Sequence, residues 1–328
     1  MYKIKQIPED FIVEEIPLFE PKEKGEFTYF ILEKKGYDTE KVIKKISEHF
    51  KIQRKKFNYA GSKDRHAITK QYCSVRGKIR NFDFEDFKIK IIGYGNEPIS
   101  LGSLKGNKFT ITVRSIKEKP KPTNFIINYF DEQRFGKNNL EIGLSIIKKD
   151  FRNAAELIDL PDAKFHLTQN KNDFIGAIKK VPFRIMNMYI HAVQSWLWNE
   201  TSAEYIKQKT KKFSEIKYNH GKFIFPVKKI TNIEIPLLSF DTEFENREIE
   251  EIYKKIMEKQ KLSLRDFIIR QIPDITPSGG ERNLIAEVKE FSFGKLENDE
   301  LNIGKKKITL AFELGKGSYA TIVIKTIL

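Results

Sequence analysis

One cysteine, Cys73, stands in a chain of 328 residues, so no disulfide can close within it and a reducing compartment is expected. The five histidines (His49, His66, His166, His191 and His220) show no paired spacing, and beside a single thiol they give no zinc-site pattern. No apolar run approaches the ~20 residues that a membrane-spanning helix needs. The opening MYKIKQIPEDFIVEEIP carries charges every few positions where a signal peptide would be apolar. A soluble cytoplasmic protein without a membrane partner is expected. Phosphate-binding loops are missing too. No G-x-x-x-x-G-K-[ST] occurs, because glycine follows the lysine of LGKGS. No G-x-G-x-x-G opens a helix after a strand, and neither H-E-x-x-H nor G-x-S-x-G is present. An enzyme built from this chain is expected to work by side-chain chemistry, with no metal and no cofactor.

Positive charge is what the chain has in excess. Sixty lysines and arginines face 45 acidic residues, a net charge of +15. That balance favours a polyanionic partner, and nucleic acid is the first candidate. An anionic membrane surface and the lysine enrichment of heat-adapted proteins are the alternatives. The basic residues are spread along the chain, so no disordered basic arm is implied. With 40% hydrophobic and 12% aromatic residues there is enough apolar surface for a substantial core, and the length suits about two domains.

The first third reads as strands with one helix. GEFTYFILEKKG, KFNYAG, QYCSVRG, FKIKIIGYG and NKFTITVRSI have β-rich or alternating patterns, while YDTEKVIKKISEHF opens on a cap at Asp38 or Thr39 and places Val42, Ile43, Ile46 and Phe50 on one helical face. Helical periodicity takes over in the middle, at RIMNMYIHAVQSWLWNETSAEYIKQ and NREIEEIYKKIMEKQ. The end returns to alternation in ERNLIAEVKEFSF, KKITLAFEL and SYATIVIKTIL, the last two read as a strand pair around GKG. The expected fold is α+β: a mixed, mainly antiparallel sheet domain from residues 1–140 and 276–328, interrupted by a mostly helical insert over 141–275.

One loop draws the eye, AGSKDRHAITKQ, where Asp64 sits between Lys63 and Arg65. Nearby cations hold a carboxylate in its charged form, and an ionised aspartate in a glycine-relieved turn can serve as nucleophile or general base. The segments PEDFIVEE (8–15), AGSKDRHAITKQ (60–71), LGSLKGNKFTITVR (101–114), NYFDEQRFG (128–136), HAVQSWLWN (191–199) and GSYATIVI (317–324) occur in that order. Together they resemble the TruD family of tRNA pseudouridine synthases from one end of the chain to the other.

The resemblance implies isomerisation of uridine to pseudouridine, typically at position 13 of tRNA, with other RNAs open as substrates. It places the catalytic aspartate on Asp64 and substrate contacts on Phe11, Asn128 and Tyr319. A base that must leave its stack calls for aromatic faces and amides of this kind. Lys5, on a strand leading to Phe11, is a candidate partner for Asp64, as is Lys63. Gln133, Arg134 and Arg282 are read as supporting residues, and Gln194 as part of an RNA-facing or interdomain surface. RNA is expected in a basic cleft between the two domains of a monomer, with no protein partner implied. Two departures from the family pattern touch stacking and loop stiffness only: Tyr319 where some members have phenylalanine, and Ile127 where proline is frequent. The rivals are a catalytically silent tRNA-binding protein or RNA chaperone using the same cleft, and a methyltransferase, for which no methyl-donor loop is present.

Overall fold

The computed structural model describes residues 2–61, 63–100 and 102–328; Ser62 of the AGSKDR segment and Leu101 at the head of LGSLKG lie outside the described residues. The chain divides into two compact units, Met1–Asn124 with Glu287–Leu328, and Phe125–Ala286. These divisions fall at 124/125 and 286/287, where helical periodicity alone drew 140/141 and 275/276. The difference has a local cause: Asn128 N–H donates to Leu284 C=O at 2.8 Å, tying the stretch after 124 to the stretch before 287.

The first unit begins with β1 (Phe11–Pro17), β2 (Phe27–Lys35), α1 (Thr39–His49), β3 (Phe57–Tyr59), β4 (Ile68–Arg76), β5 (Phe82–Asp83), β6 (Phe87–Gly95) and β7 (Leu104–Ile116). Asp38 caps α1 by accepting from the N–H groups of Glu40 and Lys41, as its sequence position suggests. The α1 stripe of Val42, Ile43 and Ile46 is fully buried in one core with Phe30 and Leu32 of β2, Phe57, Val75, Phe87 and Ile89. A second cluster gathers Phe27 and Tyr29 of β2 with Ala60, Ile99 and Leu104. β2 therefore has a core on each face, which is why it reads as a nearly continuous apolar run.

The second unit contains β8 (Phe125–Ile127), α2 (Asn139–Ile147), α3 (Phe151–Leu157), α4 (Pro161–Gln169), α5 (Phe174–Lys179) and the long α6 (Phe183–Lys209). A hairpin of β9 (Phe213–Tyr218) and β10 (Gly221–Pro226) follows, then β11 (Glu234–Leu237), α7 (Arg247–Gln260) and β12 (Gly280–Asn283), which pairs antiparallel with β11. α2 packs directly on α6. A Cβ at Gly143 would lie 2.1 Å from Tyr189 C=O, so only glycine allows that approach.

The chain returns to the first unit through β13 (Ile285–Phe293), then β14 (Glu297–Asn298), β15 (Lys306–Gly315) and α8 (Ala320–Ile327). Strand order across that unit is β5-β6-β2-β4-β1-β7-β15-β13, with β3 on β4 and β14 on β15. Among its described pairings only β1 with β4 is parallel. The fold is α+β with a mainly antiparallel sheet. Two readings of the C-terminal region need correction. ERNLIAEVKEFSF is two strands broken at Leu284, and SYATIVIKTIL is the helix α8, with Ala320, Ile322, Val323 and Ile324 buried. A short β-branched run fits a strand or a packed helix equally by pattern, and tertiary burial decides between them. No helix among the described residues is long and apolar enough to cross a membrane.

Candidate functional site

The AGSKDR loop leaves β3 and returns as β4, the strand that pairs in parallel with β1. That pairing brings the loop to the N-terminal segment. Lys5 Nζ donates to Asp64 Oδ2, and the same ammonium lies 4.2 Å from the centre of the Phe11 ring. Asp64 Oδ1 accepts from His66 N–H at 3.1 Å. Burial pushes the Asp64 carboxyl up, but the Lys5 ammonium and the His66 N–H outweigh it and hold the group below the usual aspartate range. An ionised carboxylate at neutral pH is the result.

Lys63, the other candidate partner, turns elsewhere. Its Nζ pairs with Glu15 Oε1 at 2.8 Å and donates to Asn107 Oδ1 at 2.9 Å. Glu15 is buried and also accepts from Tyr72 N–H, so Lys63 neutralises a carboxylate that would otherwise be stranded in the core. Arg65 is exposed.

Lys5 is not on a strand, contrary to expectation. Its φ is +57°, in the left-handed region, and the 3-10 turn Pro8–Asp10 separates it from β1. The buried Asp10 carboxylate holds that turn by accepting from Gln6 N–H and Ile7 N–H at 3.0 and 3.2 Å. Asp10 is in turn paired with the buried Arg114, whose guanidinium also reaches Asp299 at 3.0 Å. This ionic hub fixes the backbone that presents Lys5, and nothing in the spacing of residues 10, 114 and 299 announces it.

Phe11 is only 5% exposed and makes an edge contact with Phe109. Tyr319 is half-buried at the start of α8, in the turn that follows β15. Register locates that turn: Gly315 lies opposite Gly106 of β7, one step from the Asn107 that receives Lys63.

In the second unit Asn128 and Arg282 form one assembly. Arg282 Nε donates to Asn128 C=O and its Nη2 to Asn128 Oδ1, both at 2.8 Å, while Asn128 Nδ2 donates to Asn283 C=O at 3.2 Å. The guanidinium lies 4.0 Å from the Phe130 ring centre and 5.4 Å from that of Trp198. Arg134 Nε donates to Ser195 Oγ at 3.1 Å, and Gln133 is exposed beside it. Gln194, expected on a surface, is buried instead, its amide donating to the carbonyls of Leu238 and Ser278. Among the described residues no group of three or more His, Cys, Asp or Glu side chains could hold a metal ion.

Sequence reasoning missed Lys34. It is 1% exposed, and its Nζ donates to Tyr37 C=O at 2.7 Å and to Asp64 C=O at 2.9 Å. A signal was available: Phe30, Leu32 and Lys34 alternate along β2, so the core face of the strand continues to residue 34.

The family model described as tRNA pseudouridine synthase D (TruD) matches residues 2–159, 164–223 and 206–327. A Methanococcus maripaludis protein named "Probable tRNA pseudouridine synthase D 1" is 30% identical, over 99% of this chain and 99% of its own. A Methanocaldococcus jannaschii protein with the corresponding "D 2" name is 32% identical over 98% of this chain and 90% of its own. A solved structure from Methanosarcina mazei that carries the TruD name superposes with a TM-score of 0.73 at 25% identity, covering 99% of this chain and 93% of that one. The agreement runs through both units and both chain ends, and this chain belongs to the TruD family of tRNA pseudouridine synthases.

Proposed function

We propose that the protein isomerises uridine to pseudouridine in tRNA, at position 13, with Asp64 as the reacting group. The N1–C1′ bond breaks, the uracil turns, and C5 bonds to C1′; C5 gives up its proton and N1 gains one. No atom is added and no electron is transferred, so the reading needs no cofactor. The observation that carries it is the Lys5–Asp64–Phe11 cluster, an ionised carboxylate paired with a cation that lies over an aromatic ring, within a chain matched along its length by the family. Either of two opening steps suits that carboxylate: attack on C1′, or removal of the 2′-proton to give a glycal.

Phe11 is covered by Lys5 and Phe109, so in this reading it walls the site and Tyr319 stacks on the uracil. Asn128, its carboxamide oriented by Arg282, reads the uracil edge, and Gln133 and Arg134 meet the RNA backbone. The unit Met1–Asn124 with Glu287–Leu328 is taken as the catalytic domain and Phe125–Ala286 as the insert characteristic of the family. A chain charge of +15 suits an RNA partner. The enzyme is read as a cytoplasmic monomer, to which the lone buried thiol of Cys73 is suited.

The test is to incubate purified protein with unmodified tRNA transcripts, without cofactor, and map pseudouridine by carbodiimide treatment and primer extension. A stop at position 13 is expected. Tight, salt-sensitive binding with no stop anywhere would favour the silent RNA-binding alternative.

A further inference from the structure

Three buried polar side chains converge on the backbone of the Asp64 loop. Gln71 of β4 donates from Nε2 to Gly61 C=O at 3.2 Å. Thr39, in the first turn of α1, accepts from Lys63 N–H at 3.2 Å and donates its own hydroxyl to Gln71 Oε1 at 2.9 Å. Lys34 of β2 donates to Asp64 C=O at 2.9 Å. Thr39 and Gln71 are fully buried and Lys34 nearly so. The two strand residues sit close together in the sheet, Leu32 lying opposite Gln71 and Lys34 opposite Thr69.

Polar groups sealed from water cost stability unless their hydrogen-bonding capacity is used, and a buried ammonium costs most. Here each of the three side chains directs one such bond to the same short loop. Gly61 C=O, Lys63 N–H and Asp64 C=O fix the backbone on both sides of the Asp64 side chain. Lys5 and His66 N–H then fix its two carboxylate oxygens. Five hydrogen bonds thus determine where a single carboxylate points.

We infer that Lys34, Thr39 and Gln71 are positioning residues that set the Asp64 carboxylate in its reacting geometry. The inference rests on Asp64 being the reacting group. Their contacts with the loop backbone are the means by which they act. A displacement of about 1 Å at a reacting group can cost a rate about a hundredfold, so loosening one of the three holds should lower kcat and spare RNA affinity.

The experiment compares Thr39→Val, Thr39→Ser, Gln71→Met, Lys34→Met and Asp64→Asn by kcat, by tRNA dissociation constant and by melting temperature. Valine keeps the volume of threonine without its hydroxyl, and serine keeps the hydroxyl without the methyl. The expected result is a kcat loss of at least about tenfold in Thr39→Val, Gln71→Met and Lys34→Met, near-wild-type kcat in Thr39→Ser, and tRNA affinity within about twofold throughout. Equal losses in Thr39→Val and Thr39→Ser would show packing rather than hydrogen bonding and overturn the inference. So would folded Thr39→Val and Gln71→Met proteins with wild-type kcat beside an inactive Asp64→Asn. A fully active Asp64→Asn would instead overturn the catalytic reading of Asp64 itself. Should Lys34→Met fail to fold, the Thr39 pair still decides.

Discussion

The Lys5 ammonium donates to the Asp64 carboxylate while lying over the face of Phe11, so three residues from two segments of the chain form one charge-compensated cluster. The cation does two things at once. It opposes the upward push that burial gives the carboxyl, and it covers a face of the Phe11 ring.

Replacing Lys5 with Met removes the main influence holding the Asp64 carboxyl down, and burial then pushes it up. The acid limb of kcat/KM, which in the wild type should lie below the ordinary aspartate value of about 3.9, should move to higher pH. The rate on the plateau should fall by about a hundredfold as the carboxylate loses its orienting partner. In pH–rate profiles between about pH 4 and 8 the wild type should stay on its plateau while Lys5→Met shows an acid limb; a variant as flat as the wild type across that range would count against the pair.

Asp10 supports the same cluster from below. Removing its side chain by Asp10→Ala would leave the buried Arg114 with Asp299 and Glu300 alone and release the N–H groups of Gln6 and Ile7. Breaking a buried ion pair in this way costs about 3–5 kcal/mol, which denaturant unfolding would measure. Activity should fall further than the loss of folded protein explains, because Lys5 loses its fixed backbone.

Burial pushes the Lys34 ammonium down to about 8, against the raising influence of the Asp38 and Asp64 carboxylates; in the unfolded chain it titrates near 10.5. Between those values the unfolded chain holds a proton that the folded protein has given up, so this group makes stability rise with pH. Below about 8 both states are protonated and the penalty of burying the charge is at its greatest. Relative to Lys34→Met, the wild type should therefore gain stability from about pH 8 to 10, with a flat difference below that. Unfolding curves for the two proteins across this range test the sign.

How far the sequence carried varied with the kind of feature. The cap at Asp38 and the α1 stripe were legible because they are local and periodic. The loop around Asp64 was legible through its neighbours in order along the chain. The Asp10–Arg114–Asp299 hub was not, because its members meet only through the sheet: Arg114 sits beside Ser115, whose φ of +59° coincides with a shift of register against β15. α8 was misread because alternating β-branched residues carry no mark of whether a strand partner or a helical face will bury them.

Arg282 grips Asn128 by a two-pronged contact and is stacked on Phe130, a combination lysine cannot reproduce. Arg282→Lys should reduce kcat/KM for tRNA by about tenfold, and Asn128→Ala by at least as much. The double variant should lose little beyond the worse single one, since both changes break the same assembly. Steady-state kinetics of the three proteins decide it; fully additive losses would separate the two residues.

Asp64→Asn offers the most direct measurement, since the amide keeps the shape of the side chain and removes the charge. In single-turnover assays on a tRNA transcript, pseudouridine formation by the folded variant should fall by about 10⁴-fold or more. Binding of the same tRNA, and its decline with salt, should stay at wild-type levels. A folded Asp64→Asn protein that forms pseudouridine at the wild-type rate would contradict the assignment of the chemistry to this carboxylate.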